Sequence, residues 1–161
     1  MNANATEHLM TQLEATQKQL IVLLESVAHD QDWQPNPSEW SFRYLAAHLA
    51  TVDRECFKDR VVRIAAGEKP HFESYFNTGR DFSRIDLRVS LGEWAITRQE
   101  IFDFVQTLPE EACLLMGTHA SFGTITVLSV LGTMLNHDRE HLQHLEQLIS
   151  EYRTTTRQLP R

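Results

Sequence analysis

The chain has 161 residues, and its 15 Lys and Arg against 22 Asp and Glu give a formal charge of −7. That length predicts one domain around one core, and the acidic balance excludes nucleic acid or an anionic membrane surface as the expected partner, because no basic cluster is present to neutralise phosphates. Cys56 and Cys113 form no CxxC pair, "MNANATEHLM" lacks the flank and apolar run of a signal peptide, and no apolar run is long enough to cross a membrane, so the expected protein is reduced and cytoplasmic.

Four stretches carry helical periodicity, none carries sustained two-residue alternation, and the fold class expected is all-α. The first helix runs from about Ala5 to Ala28, with Leu9, Leu13, Leu20, Leu23, Leu24 and Val27 at three- and four-residue spacing. "QDWQPNPSEWS" ends it, since its two prolines and Asn-Pro step disfavour continuing a helix. A second helix starts at Ser41, a residue suited to N-capping, and reaches Ala66 before Gly67. The stretch from Gly67 to Asp86 has no periodicity and reads as a long loop, of the kind that walls a site. The third helix spans about Arg88 to Leu108 and stops at Pro109; the fourth spans about Thr124 to Tyr152. Residues 1–152 are thus expected as one four-helix bundle, with 153–161 as a frayed tail.

The fourth helix holds "HDREHLQH", residues 137–144. At about 100° per residue its apolar stripe is Val127, Val130, Leu131, Met134, Leu145, Leu148 and Tyr152. His141 falls within that stripe, His137 at one edge of it, and His144 slightly farther round. Histidines at i and i+4 can aim their rings at one point, and neutral imidazoles are ligands for a zinc-like cation. A third ligand is offered by the second helix, where His48 borders the stripe of Phe42, Leu45, Leu49, Val52 and Cys56. Spacing alone leaves two readings open, a metal site or hydrogen-bonded packing histidines. His8, His29, His71 and His119 fall on the surface or in loops, and of these His71 and His119 lie in loops that can reach the site.

"HDREH" also fits the H-x-x-E-H string of inverted zinc proteases. Glu140, however, projects away from the stripe, and only 20 residues follow His141. Glu55 shares the edge of the second helix with His48 and is the one candidate for a general base, against a solvated flank residue. Arg98 lies in the middle of the third helix's apolar face, while Asp53, Arg60 and Asp138 point inward from their helices. Buried charges are seldom left alone, so Arg98 is expected to pair with Asp53 or Asp138 in a network that fixes register. Asp138 would alternatively orient a metal-bound histidine.

These segments resemble a known family. "WSFRYLAAHLATVDRE" is similar to the Trp-Ser, His-Leu-Ala, Glu segment of the DinB/YfiT-like superfamily, and "SFGTITVLSVLGTMLNHDREHLQHL" to its Gly-x-x-Thr and His-Asp-x-x-His-Leu-x-Gln segment. The likeness covers roughly residues 5 to 152. It implies an up-down-down-up four-helix bundle, a homodimer, and one divalent ion per chain, zinc or nickel, on His48, His137 and His141. His144 stands where that family commonly has Gln, which argues against it as a ligand. The resemblance further implies a metal-dependent enzyme acting on a small molecule, first a transferase of low-molecular-weight thiols to an electrophile, second a hydrolase, with a non-catalytic metal-binding bundle as the remaining reading.

Overall fold

The computed structural model describes residues 2–158, and its helices build a four-helix bundle. Helix α1 is Asn2–Ser26. The second bundle helix is composite: α2, Phe42–Val52, passes through a π-helical turn, Asp53–Phe57, into α3, Lys58–Ala65. Helix α4 is Leu87–Thr107 and α5 is Val127–Arg157. Helix α1 packs chiefly on α5, and α2 on α4. The long connection over 66–86 lets the second and third bundle helices run in the same direction, in the up-down-down-up order.

The helix starts follow local chemistry. Ser41 Oγ accepts the Tyr44 N–H at 3.1 Å, and Asp86 Oδ1 accepts the Arg88 N–H at 2.9 Å. Thr126 and Ser129 cap α5 reciprocally. The α5 helix runs through 153–157, where a frayed tail was expected; the Thr154 and Thr156 hydroxyls donate to carbonyls one turn back, which suits an exposed helical end.

A small sheet is added to the expected helices. β1, His71–Phe72, pairs in parallel with β2, Met116–His119, which pairs antiparallel with β3, Gly123–Thr126. Gly117 permits this close approach, since a Cβ there would stand 2.9 Å from the Pro70 carbonyl oxygen. The hairpin thus takes the first residues expected for the fourth helix.

Two apolar clusters fill the bundle. One joins Leu13, Val61, Ile64, Ile101, Val105 and Leu131; the other joins Leu20, Leu45, Leu49, Leu91, Trp94 and Leu145. In sequence, Gln17, Arg98 and Asp138, all buried, fall on their helices between the residues of the two clusters, and the buried Asp53, bonded to Arg98, falls just past the boundary on its own helix. These polar residues form a layer at mid-height, and the candidate site borders that layer. No helix among the described residues is long and apolar enough to cross a membrane.

Candidate metal centre

His48 on α2 and His137 and His141 on α5 meet at one point. Their Nε2 atoms are separated by 3.2 Å (His48 to His137), 3.1 Å (His48 to His141) and 3.1 Å (His137 to His141). Imidazole nitrogens on one zinc-like ion at about 2.0–2.1 Å stand roughly 3.0–3.4 Å from one another, so the triangle has the dimensions of a shared cation site.

Proton placement supports the same fit. His48 Nδ1 lies 2.7 Å from Asn77 Oδ1, an acceptor, so Nδ1 carries the proton and Nε2 presents a lone pair to the other two rings. Three nitrogens facing one another cannot all be satisfied by hydrogen bonds among themselves, whereas one cation satisfies all three lone pairs. Burial pushes the His48 pKa down to about 4, against the Asn77 bond, which raises it. Burial, with the neighbouring His137 and His48, pushes His141 down to about 3. Both rings are therefore neutral near pH 7, the form that binds metal.

Aromatic rings fix the triad. Trp40 packs on His48 and His141 with centroids at 4.7 and 5.8 Å, and Phe57 meets His137 edge-on at 5.6 Å. Behind the triad lies the charged layer. Arg98, 1% exposed, reaches Asp53 from Nε at 2.7 Å and from Nη2 at 3.0 Å, and Asp138 from Nη1 at 2.8 Å. The expected pairing with one aspartate is thus a pairing with both. Burial opposes the guanidinium's charge, but the two carboxylates outweigh it and raise its pKa. Burial also drives Asp53 above the usual carboxylate range despite Arg98, while at Asp138 the guanidinium and His137 prevail over burial and lower it. Asp138 Oδ1 stands 3.8 Å from His137 Nδ1, too far for a hydrogen bond but close enough to favour a proton on that nitrogen.

The triad opens into a cavity of about 360 Å³ walled by Val52, Phe57, Phe76 and Phe122 and containing Arg60, Asn77 and His119. The 67–86 loop contributes Ser74 through Thr78 to the wall, as the sequence suggested. Glu55 does not line this cavity. Its carboxylate accepts from Arg80 Nη1 at 2.6 Å and from the Tyr75 hydroxyl at 2.5 Å, and Arg80 leads the causes that lower its pKa. Glu55, the residue expected as a candidate general base, here ties the loop to the helix. Glu140, of the H-x-x-E-H string, is exposed and also absent from the wall. His144 stays outside the triad, and His71 is exposed, 2.8 Å from the Thr118 hydroxyl.

One residue of the site was not legible as such: Asn77 had no signal in a loop without periodicity. Of the two loop histidines expected to be able to reach the site, His119 does so, buried to 4% exposure on the cavity wall, and His71 does not line it.

The sequence profile of the DinB superfamily matches residues 12–145. Among solved structures, the chain is similar to YfiT from Bacillus subtilis, described as a probable metal-dependent hydrolase with an unusual four-helix bundle topology. The TM-score is 0.77 at 20% identity, over 91% of this chain and 87% of that one. No curated protein sequence matches the chain.

Proposed function

Because the chain belongs to the DinB superfamily, we propose that it is a divalent-metal-dependent hydrolase of a small organic substrate, with His48, His137 and His141 as ligands of one zinc or nickel ion. The observation that carries this reading is the triangle of Nε2 atoms at 3.1 to 3.2 Å opening directly into a cavity. A three-histidine donor set leaves coordination positions free, the arrangement of catalytic rather than structural sites. A bound divalent ion supplies Lewis acidity there, polarising a substrate oxygen and lowering the pKa of water beside it.

The chain's own residues do the remaining work. Asn77 holds the proton on His48 Nδ1 and so fixes which nitrogen faces inward. Trp40 and Phe57 hold the ring planes, Val52 and Phe57 give the cavity a buried apolar wall, and the exposed Phe76 and Phe122 rings stand at its rim. Among the described residues no carboxylate lines the cavity. The description of the Bacillus subtilis relative supports hydrolysis. That description does not extend to thiol transfer, so of the two enzyme readings of the sequence the hydrolase is the one it supports. Cys56, the cysteine on the cavity wall, has its thiol pushed up to about 11 by burial and brings no thiolate near neutral pH.

The test is turnover of a panel of aryl esters, amides and lactones by zinc- and nickel-loaded protein, beside His137→Ala. Metal-dependent hydrolysis that falls by about a hundredfold or more in the variant is expected. Full metal occupancy with no turnover across the panel would leave a non-catalytic metal-binding bundle.

A further inference from the structure

Arg98 and Arg60 are both buried, with opposite surroundings. Arg98 is gripped by two carboxylates. Arg60, 7% exposed, has no carboxylate within 4.0 Å among the described residues; its Nη2 donates to the Glu73 carbonyl at 3.2 Å, and its guanidinium lies 5.5 Å from the Phe72 ring centroid. A buried cation is normally paired. An unpaired guanidinium on the wall of a cavity that holds no carboxylate marks a place for an anion from outside.

His119 stands next to it. The two are joined through Phe72, which Arg60 covers and which pairs with His119 in the sheet register. His119 Nδ1 accepts the backbone N–H of Ser121 at 3.0 Å and of Phe122 at 3.3 Å, so the proton of the neutral ring is on Nε2. The Phe122 ring stacks on the imidazole at 4.5 Å and fixes its plane. Burial, followed by the Arg60 charge, lowers the His119 pKa and keeps it in this neutral, donating form.

The π turn explains how Arg60 comes to share a wall with His48. In an unbroken α-helix the steps from 48 to 60 would rotate the second residue by about 120°; one extra residue in a π turn takes back about 100°, which leaves the two on nearly one face. The cavity therefore has a triad at one place along the helix and a cation further on.

We propose that Arg60 and His119 form a carboxylate-binding subsite of this cavity, so that its substrate is a small molecule bearing one carboxylate apart from the group that reacts at the histidine triad. One guanidinium and one neutral N–H donor balance a single negative charge. The apolar wall of Val52, Phe57, Phe76 and Phe122 suits an uncharged middle portion, and about 360 Å³ is at the small end of ligand cavities. The subsite deepens the hydrolase reading, but binding of the carboxylate requires neither metal nor turnover.

The test is binding of N-acetylglycine, N-acetylphenylalanine and N-acetylleucine, each beside its primary amide, followed by calorimetry and by the Arg60 Nε–H resonance of ¹⁵N-labelled protein. Wild type is expected to prefer the acids by at least about tenfold, with the Arg60 resonance shifting on titration. The preference is expected to vanish in Arg60→Gln, to weaken in His119→Phe, and to persist in His137→Ala, where any hydrolysis is lost. The absence of an acid preference in wild type, or a preference that Arg60→Gln leaves intact, overturns the subsite. The wild-type comparison and the resonance need no variant to fold. Loss of hydrolysis with the preference retained would count against other steps, not against this one.

Discussion

Asn77 links the loop to the candidate metal centre through one hydrogen bond. Its Oδ1 accepts from His48 Nδ1 at 2.7 Å, and its backbone carbonyl accepts the Tyr44 hydroxyl at 3.0 Å, so the loop is held to α2 at the residue that sets the His48 tautomer. Partners of this kind are worth about 10- to 100-fold in metal affinity. Asn77→Leu is expected to weaken zinc or nickel binding by that factor in competition with a chromophoric chelator, with helical content unchanged. Unaltered affinity would show that the histidines set their own tautomers. At this scale the histidines themselves were legible, because i, i+4 spacing places two rings on one line and the apolar stripe tells which way they face. Asn77 was not, because its position depends on loop contacts that no local pattern encodes, and His119 was legible only as a loop histidine within reach of the site, with nothing to separate it from His71. Arg60 was legible as inward-pointing, but not as a cation lacking a counter-charge.

Glu55 shows what the elements add. The loop over 66–86 is long, and it is pinned where Arg80 and Tyr75 meet the Glu55 carboxylate in the π turn. Surface ion pairs are worth little alone, but here the pair closes a loop over a cavity wall. Glu55→Gln is expected to speed tryptic cleavage at Arg80 and Arg84 several-fold while metal content stays the same. A loss of hydrolysis with loop protection intact would instead return Glu55 to the role of general base. The helices were legible from their periodicity and their capping residues. The sheet was not, since strands of 2 and 4 residues are too short to display alternation. Nor was the π turn, since one additional residue within a continuous helix leaves the apolar pattern readable on both sides.

For the molecule as a whole, the bundle places a polar layer between two apolar clusters and gathers three histidines at its edge. The linkage to pH follows from the lowered pKa values of His48 and His141. In metal-free protein His48 and His141, at about 4 and about 3, remain neutral at pH values where the unfolded chain, at 6.5, takes up protons. Stability is therefore fully present above about pH 6.5 and is lost as pH falls towards 4 and 3. Unfolding free energies from urea titrations at pH 7.5 and pH 5 are expected to differ by on the order of 2 kcal/mol for each of the two histidines. His48→Gln should remove its share of that difference, and an equal slope in the variant would show that other groups carry it.

If His48, His137 and His141 hold one divalent ion, elemental analysis shows it: protein purified without chelators or a histidine tag, wild type beside His141→Ala, is assayed before and after titration with zinc and nickel. About one ion per wild-type chain is expected, and none retained by the variant after dialysis. A wild type that binds no ion even on titration, or a variant that binds as much as wild type, would contradict a three-histidine site.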